Sequence, residues 1–317
     1  MPSATVDLTV VIVTFKRRDL LARAVASVTS QSLARPFEIL VVDTASEGFD
    51  TRDLPSTNFG GTVRVLTAHQ GGTAHARNVA LREARGEIVA FLDDDAEANQ
   101  GWLLALCRAY EGNDNIAAAG GPILPEFMVP PPRWIQDAYD LIANEFSALD
   151  HGEEACILKY PETLYGPNLS VRRRIAVACG GFREDLGPLR GQWSPGEEVE
   201  LIHRLQGLGY HVHWVPSAVV RHLIPPNKMT RAFLRRRAYA RGLSAALGKL
   251  SGPEASLPAD LRMTRMIGAV AYHVIFSLLS WLLGRTRAAV VHERAGARWA
   301  GILTGRLRVN QPGSQVS

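Results

Sequence analysis

The stretch Ile88-Val89-Ala90-Phe91-Leu92-Asp93-Asp94-Asp95 decides the fold of this 317-residue chain. Its five apolar residues follow the breaker Gly86 and predict a short buried strand. The three aspartates would then lie at the carboxyl end of that strand, the edge at which open α/β sheets bind ligands. Adjacent carboxylates repel one another, and a divalent cation with phosphate oxygens offsets this better than water does. An isolated acidic cluster is equally well explained as a solvated turn or a helix N-cap.

Alternating strand and helix patterns surround this stretch. Apolar runs predict strands over residues 8–15, 37–42, 63–66 and 211–220. Helical spacing of apolar residues predicts helices over 19–30, 72–84, 102–110 and 197–208. The proline-containing segment 120–165 is expected to be irregular. This order indicates an α/β fold, Rossmann-like, with a mostly parallel sheet flanked by helices.

The charge of the chain is unevenly distributed. Residues 1–220 carry 19 Lys and Arg against 28 Asp and Glu, a net charge of −9. Residues 221–317 carry 16 against 3, a net charge of +13. We therefore place a domain boundary near residue 225, with a domain over 1–225 and a basic helical C-terminal region over 226–317. Such a region suggests an anionic partner: lipid headgroups, a nucleic acid or a phosphate-bearing substrate.

Several common kinds of site are excluded by what the sequence lacks. The first predicted strand runs into Thr14-Phe15-Lys16-Arg17, without the glycines of an NAD or FAD site, and no GxxxxGK[ST] phosphate loop occurs. The three cysteines are far apart and form no CxxC pair, which fits a reducing compartment. Asp7 directly precedes the first short apolar run, so no secretory signal peptide is expected. A cytoplasmic protein is predicted.

Four segments resemble those of the family 2 glycosyltransferases of GT-A fold, in the same order and at similar spacing. They are Val10-Val11-Ile12-Val13-Thr14-Phe15-Lys16-Arg17, Ile39-Leu40-Val41-Val42-Asp43-Thr44-Ala45-Ser46, Gly71-Gly72-Thr73-Ala74-His75-Ala76-Arg77-Asn78 leading into the aspartates, and Gly196-Glu197-Glu198-Val199-Glu200-Leu201. The resemblance covers roughly residues 8–225. It implies a GT-A catalytic domain, followed by the basic helical C-terminal extension.

The resemblance also implies a donor site and a metal site. Asp93 and Asp95 are the ends of the DxD motif, and Asp95, Asp93 and His222 would hold Mn²⁺ or Mg²⁺. Asp43 would accept a hydrogen bond from the nucleobase, typically uracil. The residues implied in binding the nucleotide-sugar are Thr14, Phe15, Arg17, Asp43, Arg77, Asp93 and Asp94.

The acidic pair Glu197-Glu198 is the implied catalytic centre. An inverting transfer needs a carboxylate that deprotonates the acceptor hydroxyl, while the metal stabilises the leaving diphosphate. The family commonly has Glu-Asp here, so Glu198 takes the place of the base, with Glu197 as the alternative. Both acids could instead favour a helix start through its dipole. Weaker candidates for acceptor contacts are Asn168, Arg172 and Trp193.

These residues together predict a metal-dependent inverting glycosyltransferase. It would move a sugar from a nucleotide-diphospho donor, a UDP-sugar, to a lipid-linked or polysaccharide acceptor of the cell envelope. No nucleic-acid partner is expected. Two alternatives stay open: a metal-dependent nucleotidyl- or phosphotransferase, and a non-catalytic sugar-nucleotide binding module.

An uncharged segment over residues 266–284 interrupts the basic C-terminal region. Its length reaches the range of a membrane-spanning helix. His273, Ser277, Ser280 and Gly284 recur at helical spacing and form a narrow polar or small stripe along it. Three arrangements remain open: a helix packed on the protein, a helix lying in a membrane interface, and a spanning helix. In the last two, the protein would lie at the cytoplasmic face of an anionic membrane.

Overall fold

The structure is a computed structural model that carries side chains. It describes residues 8–45, 54, 62–68, 72–189, 192–194, 196–248 and 262–309. The chain divides into two compact units. The first contains residues 1–126, 147–190 and 197–223, and the second contains 127–146, 191–196 and 224–317.

Strands and helices alternate along the described chain. The strands are β1 (Leu8–Thr14), β2 (Phe37–Asp43), β3 (Thr62–Thr67), β4 (Ile88–Asp93), β5 (Ala96–Ala98), β6 (Ile116–Gly120), β7 (Ile123–Phe127), β8 (Cys156–Ile157), β9 (Leu169–Arg172), β10 (Gly187–Leu189), β11 (Gln192–Ser194), β12 (His211–Trp214) and β13 (Val220–Ile224). The helices of the whole described chain are α1 (Arg18–Thr29), α2 (Thr73–Glu83), α3 (Trp102–Ala109), α4 (Arg133–Ile142), α5 (Arg173–Ala178), α6 (Glu197–Gly207), α7 (Arg231–Ala246), α8 (Met263–Leu282) and α9 (Thr286–Val309).

The main sheet has eight strands in the order β3-β2-β1-β4-β9-β6-β12-β8. β3, β2, β1 and β4 run parallel, while β9 runs antiparallel to both β4 and β6. The predicted α/β fold with a mostly parallel sheet is confirmed. In register, Thr14 pairs with Asp43 and Val13 with Asp93, so the predicted nucleotide and metal residues share one sheet edge.

Continuous apolar runs in the central strands follow from burial on both faces of the sheet. Val10 and Ile12 of β1 belong to one apolar cluster, with Trp102 of α3. Val11 of the same strand belongs to a second cluster on the opposite face, with Leu201 of α6. All these side chains are fully buried. A parallel strand covered by helices on both sides needs apolar residues at every position, which explains the unbroken pattern.

Two predicted segments differ from the structure. Residues 120–165 were expected to be irregular, but they include β7, β8 and the helix α4, which begins directly after Pro132. A proline favours the start of a helix and is excluded from its interior, so the prolines mark the helix boundary. The strand predicted over 211–220 ends at Trp214, and the chain forms a new strand, β13, in a separate three-stranded sheet with β5 and β7.

The second unit has its own apolar cluster and its own buried charges. Ile135 and Ile142 of α4 pack with Leu234 of α7 and Val290 of α9. The buried carboxylate of Glu145 is surrounded by three arginines, Arg237, Arg241 and Arg294. Within the described residues, α8 is the helix long and apolar enough to cross a membrane, judged by length and composition.

Candidate active site

The three aspartates lie where β4 ends and turns into β5. Asp93 is the last residue of β4, and its side chain is 34% exposed. Asp94 and Asp95 form the turn and are nearly buried. The backbone of Leu223 in β13 donates to the carbonyl of Asp95 at 2.8 Å, which fixes the turn against a second sheet. The cluster is therefore held by the fold and is not a mobile surface loop.

Arg17 and Thr14, at the end of β1, hold the buried part of this cluster. The Arg17 guanidinium contacts Asp94 at 3.0 Å and Asp95 at 2.9 Å, and the Thr14 hydroxyl donates to Asp94 at 2.9 Å. Burial raises the pKa of Asp94 to about 6, against the opposing charge of Arg17. Between Thr14 and Arg17, Lys16 adopts a φ of 54°, which a residue with a side chain rarely does. The turn after β1 thus places a cation directly against the acidic cluster.

His222 joins the cluster from β13. Its Nε2 lies 3.1 Å from Oδ1 of Asp95, and both side chains are nearly buried. The structure therefore brings the predicted metal ligands Asp95 and His222 together. No three His, Cys, Asp or Glu side chains form a preassembled metal cluster within the described ranges. The donor chemistry still fits Mn²⁺ or Mg²⁺, since carboxylates and an imidazole meet here and a diphosphate brings further oxygens.

Arg77 links the aspartates to the acidic pair. Its side chain is 4% exposed, and its guanidinium lies 2.9 Å from Glu197 and 3.2 Å from Asp93. The rings of Phe91 and Phe182 lie 5.8 and 5.6 Å from the guanidinium carbon, within cation–π range. The sequence analysis placed Arg77 near the nucleotide. In the structure, its guanidinium instead pairs with Asp93 and Glu197 and lies close to the two phenylalanine rings.

Gly166 leaves the space that Arg77 fills. A Cβ atom at this position would lie 3.0 Å from Cζ of Arg77 and closer still to one of its terminal nitrogens. The sequence analysis missed both the Arg77 bridge and this requirement. The sequence around Gly166 carries no signal for this contact, because nothing local identifies the partner of a glycine.

The two glutamates at the start of α6 have different surroundings. Glu197 is nearly buried, and burial together with Glu198 raises its pKa to about 8, against the effect of Arg77. Glu198 is 18% exposed, and its Oε2 lies 4.0 Å from Arg77. Among the described residues, this oxygen has no hydrogen-bond partner. Glu197 is therefore mostly protonated at neutral pH, whereas Oε2 of Glu198 is a buried acceptor without a hydrogen-bond partner among the described residues.

Asp43 and Phe15 lie at the same sheet edge. Oδ1 of Asp43 accepts a hydrogen bond from the backbone N–H of Ala45 at 2.8 Å, and no donor to its second oxygen is found in the part of the chain that the structure describes. Phe15 is 56% exposed although it is a large apolar residue. An exposed ring beside a strand end is suited to stacking or packing against a bound ring.

The structure does not bring Asn168 to this edge. Asn168 is fully buried and accepts a hydrogen bond from the Trp102 indole at 2.9 Å. Its amide donates to the carbonyls of Pro122 at 3.0 Å and Ala218 at 2.7 Å. Its polar groups are used inside the fold, and we assign it a structural role.

Arg172 likewise lies in the interior. The side chain of Trp193 is outside the described residues. The Arg172 guanidinium donates to the carbonyls of Ile116, Tyr110 and Asn113 and pairs with Glu87. β9, which ends at Arg172, lies between β4 and β6, so this side chain ties strands together. Trp193 belongs to β11.

Comparison with known proteins extends this geometry. Two relatives from Haloferax volcanii are a glucosyl-dolichyl phosphate glucuronosyltransferase, 26% identical over 76% of this chain and 76% of its own, and the glycosyltransferase AglE, 24% identical over 89% of this chain and 93% of its own. The succinoglycan biosynthesis protein ExoM of Rhizobium meliloti is 25% identical over 76% of this chain and 75% of its own.

Solved structures share the fold. The mannosyltransferase PcManGT of Pyrobaculum calidifontis, in complex with GDP-Man and Mn²⁺, superposes with a TM-score of 0.58 at 19% identity, covering 97% of this chain and 88% of its own. GalNAc-T7, with UDP, GalNAc and Mn²⁺, gives a TM-score of 0.51 at 17% identity, covering 80% of this chain and 52% of its own.

The family model described as Glycosyl transferase family 2 matches residues 9–181. This range is more than half of the chain, and it contains β1, β2, β4, α2 and the aspartate cluster. The chain therefore belongs to glycosyl transferase family 2.

Proposed function

We propose that this protein is a metal-dependent inverting glycosyltransferase that moves a sugar from a UDP-linked donor to an acceptor hydroxyl. One observation carries the proposal: Arg77 contacts Asp93, two residues before Asp95 of the Asp95–His222 pair, and also contacts the acidic pair Glu197-Glu198. Metal-ligating and proton-accepting groups are thus positioned relative to each other before any substrate binds, as a single-step displacement requires.

The donor would bind along the edge formed by β1, β2 and β4. The free oxygen of Asp43 accepts from a uracil N–H, and Phe15 contacts the base or ribose. Arg17 lies against Asp94 and Asp95, where it adds positive charge for the diphosphate. The solved structures of PcManGT and GalNAc-T7 hold nucleotides with Mn²⁺, which supports a donor of this class.

The divalent cation would be held by Asp95 and His222, with Asp93 at the open side of the cluster. Bound there, it supplies charge that stabilises the departing diphosphate. Thr14 and Arg17 keep the carboxylate of Asp94 turned away from that opening. Asp94 would therefore shape the turn, while Asp93, with a side chain that is 34% exposed, is the most open of the three aspartates.

Glu198 would act as the base, and Glu197 would position it. The acceptor hydroxyl gives its proton to Oε2 of Glu198 while its oxygen attacks the anomeric carbon from the face opposite the diphosphate, which inverts the configuration. Glu197 is mostly protonated at neutral pH and is held by Arg77, so it is poorly suited to take the proton.

The acceptor is proposed to be lipid-linked or a polysaccharide, and the protein to act in the cytoplasm, at the inner face of the membrane. Two relatives support this choice, since one is named for a dolichyl phosphate substrate and another for succinoglycan biosynthesis. The basic charge of residues 221–317 agrees with an anionic acceptor or surface.

A screen of nucleotide-sugars with Mn²⁺ or Mg²⁺ tests the donor, because a ligand that binds the native state raises the melting temperature. With the best donor, turnover should release nucleoside diphosphate; release of pyrophosphate would instead indicate a nucleotidyltransferase. Glu198→Gln should lower kcat by about a hundredfold or more, as expected for a lost general base. Glu200→Gln is the matched control, since Glu200 lies on the same helix but pairs with Arg204. Full turnover by Glu198→Gln would refute the assignment of the base.

A further inference from the structure

Helix α8 presents its apolar face outward. Ile275, Leu278 and Leu282 are 54%, 57% and 82% exposed, and seven further large apolar side chains on or directly after the helix are exposed as well. They are Met263, Ile267, Tyr272, Val274, Phe276, Leu279 and Leu283. A continuous surface of this size on a described helix is unusual for a protein in water and marks a binding surface. We name it the α8 apolar face.

The polar side of α8 faces the protein. Ser277 donates to the carbonyl of Ala289 in α9 at 3.2 Å, and Nδ1 of His273 lies 3.0 Å from Nδ1 of His292. A Cβ at Gly296 of α9 would lie 3.2 Å from Cβ of His273, so the two helices are in close contact. The stripe of small and polar residues therefore packs against α9, so it is not the side of α8 that faces water.

We propose that the α8 apolar face lies in the plane of an anionic lipid membrane, inserted to a shallow depth, without crossing the bilayer. This inference goes beyond the proposed transfer reaction, because it concerns attachment and needs no donor, metal or acceptor.

The charges on α9 exclude a spanning arrangement. Glu293 directly follows His292, whose Nδ1 lies 3.0 Å from that of His273 near the middle of α8, and the Trp281 indole at the C-terminal end of α8 donates to Glu293 at 3.2 Å. Arg231 and Arg235 of α7 pair with the same carboxylate. If α8 crossed the bilayer, this charged group would be carried into the hydrocarbon, where each ion is costly. An in-plane helix leaves these charges on the water side.

The basic charge of this region selects an anionic lipid surface over a second copy of the chain. Residues 221–317 carry a net charge of +13, and arginines lie at or next to the ends of α8, at Arg262, Arg265 and Arg285. Two such regions repel each other, which opposes a dimer through α8. Anionic headgroups attract the flanking arginines while the lipid tails accept the apolar side chains.

Vesicle binding tests the proposal in the full-length protein. The protein should sediment with vesicles of phosphatidylcholine and phosphatidylglycerol in equal parts, and much less with phosphatidylcholine alone. The triple variant Ile275→Ser, Leu278→Ser, Leu282→Ser should bind these vesicles roughly a hundredfold more weakly, because it removes three apolar contacts. Leu124→Ser with Leu208→Ser is the matched control, since both leucines are exposed elsewhere and should not matter. An unchanged melting temperature would show that the triple variant folds.

Depth measurements separate the possible arrangements. A fluorescent thiol label can be attached at one position at a time, Ile267, Val274 or Leu282. The protein then also carries Cys156→Ser and Cys179→Ser so that these thiols do not react, while Cys107 is buried. Lipids that carry a quencher near the headgroup should quench all three positions equally. Deep quenching at Val274 with shallow quenching at the two ends would show a spanning helix and overturn the proposal. Absence of vesicle binding, or a dimer in lipid-free solution that the triple variant abolishes, would overturn it as well.

Discussion

Replacing Arg77 by Met tests the bridge between the aspartates and the acidic pair. Met keeps an unbranched side chain between Phe91 and Phe182, so the substitution mainly removes charge. Arg77 and Glu197 are 4% and 5% exposed, and leaving the buried, mostly protonated carboxyl of Glu197 without its hydrogen-bond partner costs about 1–3 kcal/mol of unfolding free energy. We expect a loss in this range, together with a lower kcat, because Asp93 and Glu197 lose the group that aligns them.

The loss should depend on pH in a defined direction. Burial and the neighbouring Glu198 raise the pKa of Glu197 to about 8 in the folded protein, above the ordinary glutamate value of 4.5. Its neutral form therefore contributes stability that is complete below about pH 4.5 and is lost as the pH rises towards 8. Without Arg77 the folded pKa rises further, so the decline continues above pH 8. The difference between the variant and the parent should then grow by up to about 1.4 kcal/mol per pH unit.

Urea unfolding followed by tryptophan fluorescence at pH 6 and pH 9 measures both effects. Arg82→Met is the matched control, because Arg82 is on the same helix α2 but is exposed. It should change the unfolding free energy by less than about 0.5 kcal/mol. If Arg77→Met loses no more than this control, or loses the same amount at both pH values, then Arg77 does not hold the charge of Glu197.

Two further predictions concern residues that support the site. Gly166→Ala should lower both the melting temperature and the donor turnover, because the added methyl group displaces the Arg77 guanidinium. Gly207→Ala, at a position with open space around it, should leave both unchanged or raise stability slightly. Asn168→Ala should cost about 2–5 kcal/mol in urea unfolding, since it leaves the Trp102 indole and two carbonyls unpaired in the interior. An acceptor KM that rises without a loss of stability would instead place Asn168 at the acceptor.

Local sequence patterns predicted the strands that carry the site residues, because these strands are buried on both faces of the sheet. The predicted bounds of β1, β2, β4 and α6 agree with the structure within a residue or two. Parallel register then brings Thr14, Asp43 and Asp93 to one edge without further information. A two-sided parallel sheet is the case in which an apolar run and its polar end residue determine both burial and position.

Side-chain partners were not predictable in the same way. Arg77 and Glu197 are 120 residues apart, and their contact depends on how α2 and α6 pack on the sheet. Asn168 follows a glycine-proline pair and has the sequence context of a loop residue, yet it is fully buried in the turn directly before the central strand β9. Its role depends on carbonyls from two other segments. A sequence motif identifies such residues but does not distinguish a ligand contact from an internal one.

Charge balance supports the proposal of a cation at this edge. The described site gathers five carboxyl groups, Asp93, Asp94, Asp95, Glu197 and Glu198, against the guanidiniums of Arg17 and Arg77. Fully ionised, these groups carry three negative charges in excess, and a donor diphosphate would add more. Burial reduces this excess of negative charge in part, because it raises the pKa values of Asp93, Asp94 and Glu197. When a divalent cation binds and neutralises this negative charge, these carboxyl groups release their protons, so cation binding should acidify a weakly buffered solution. The same excess would repel the diphosphate if no cation were bound, which makes the metal and the donor dependent on each other.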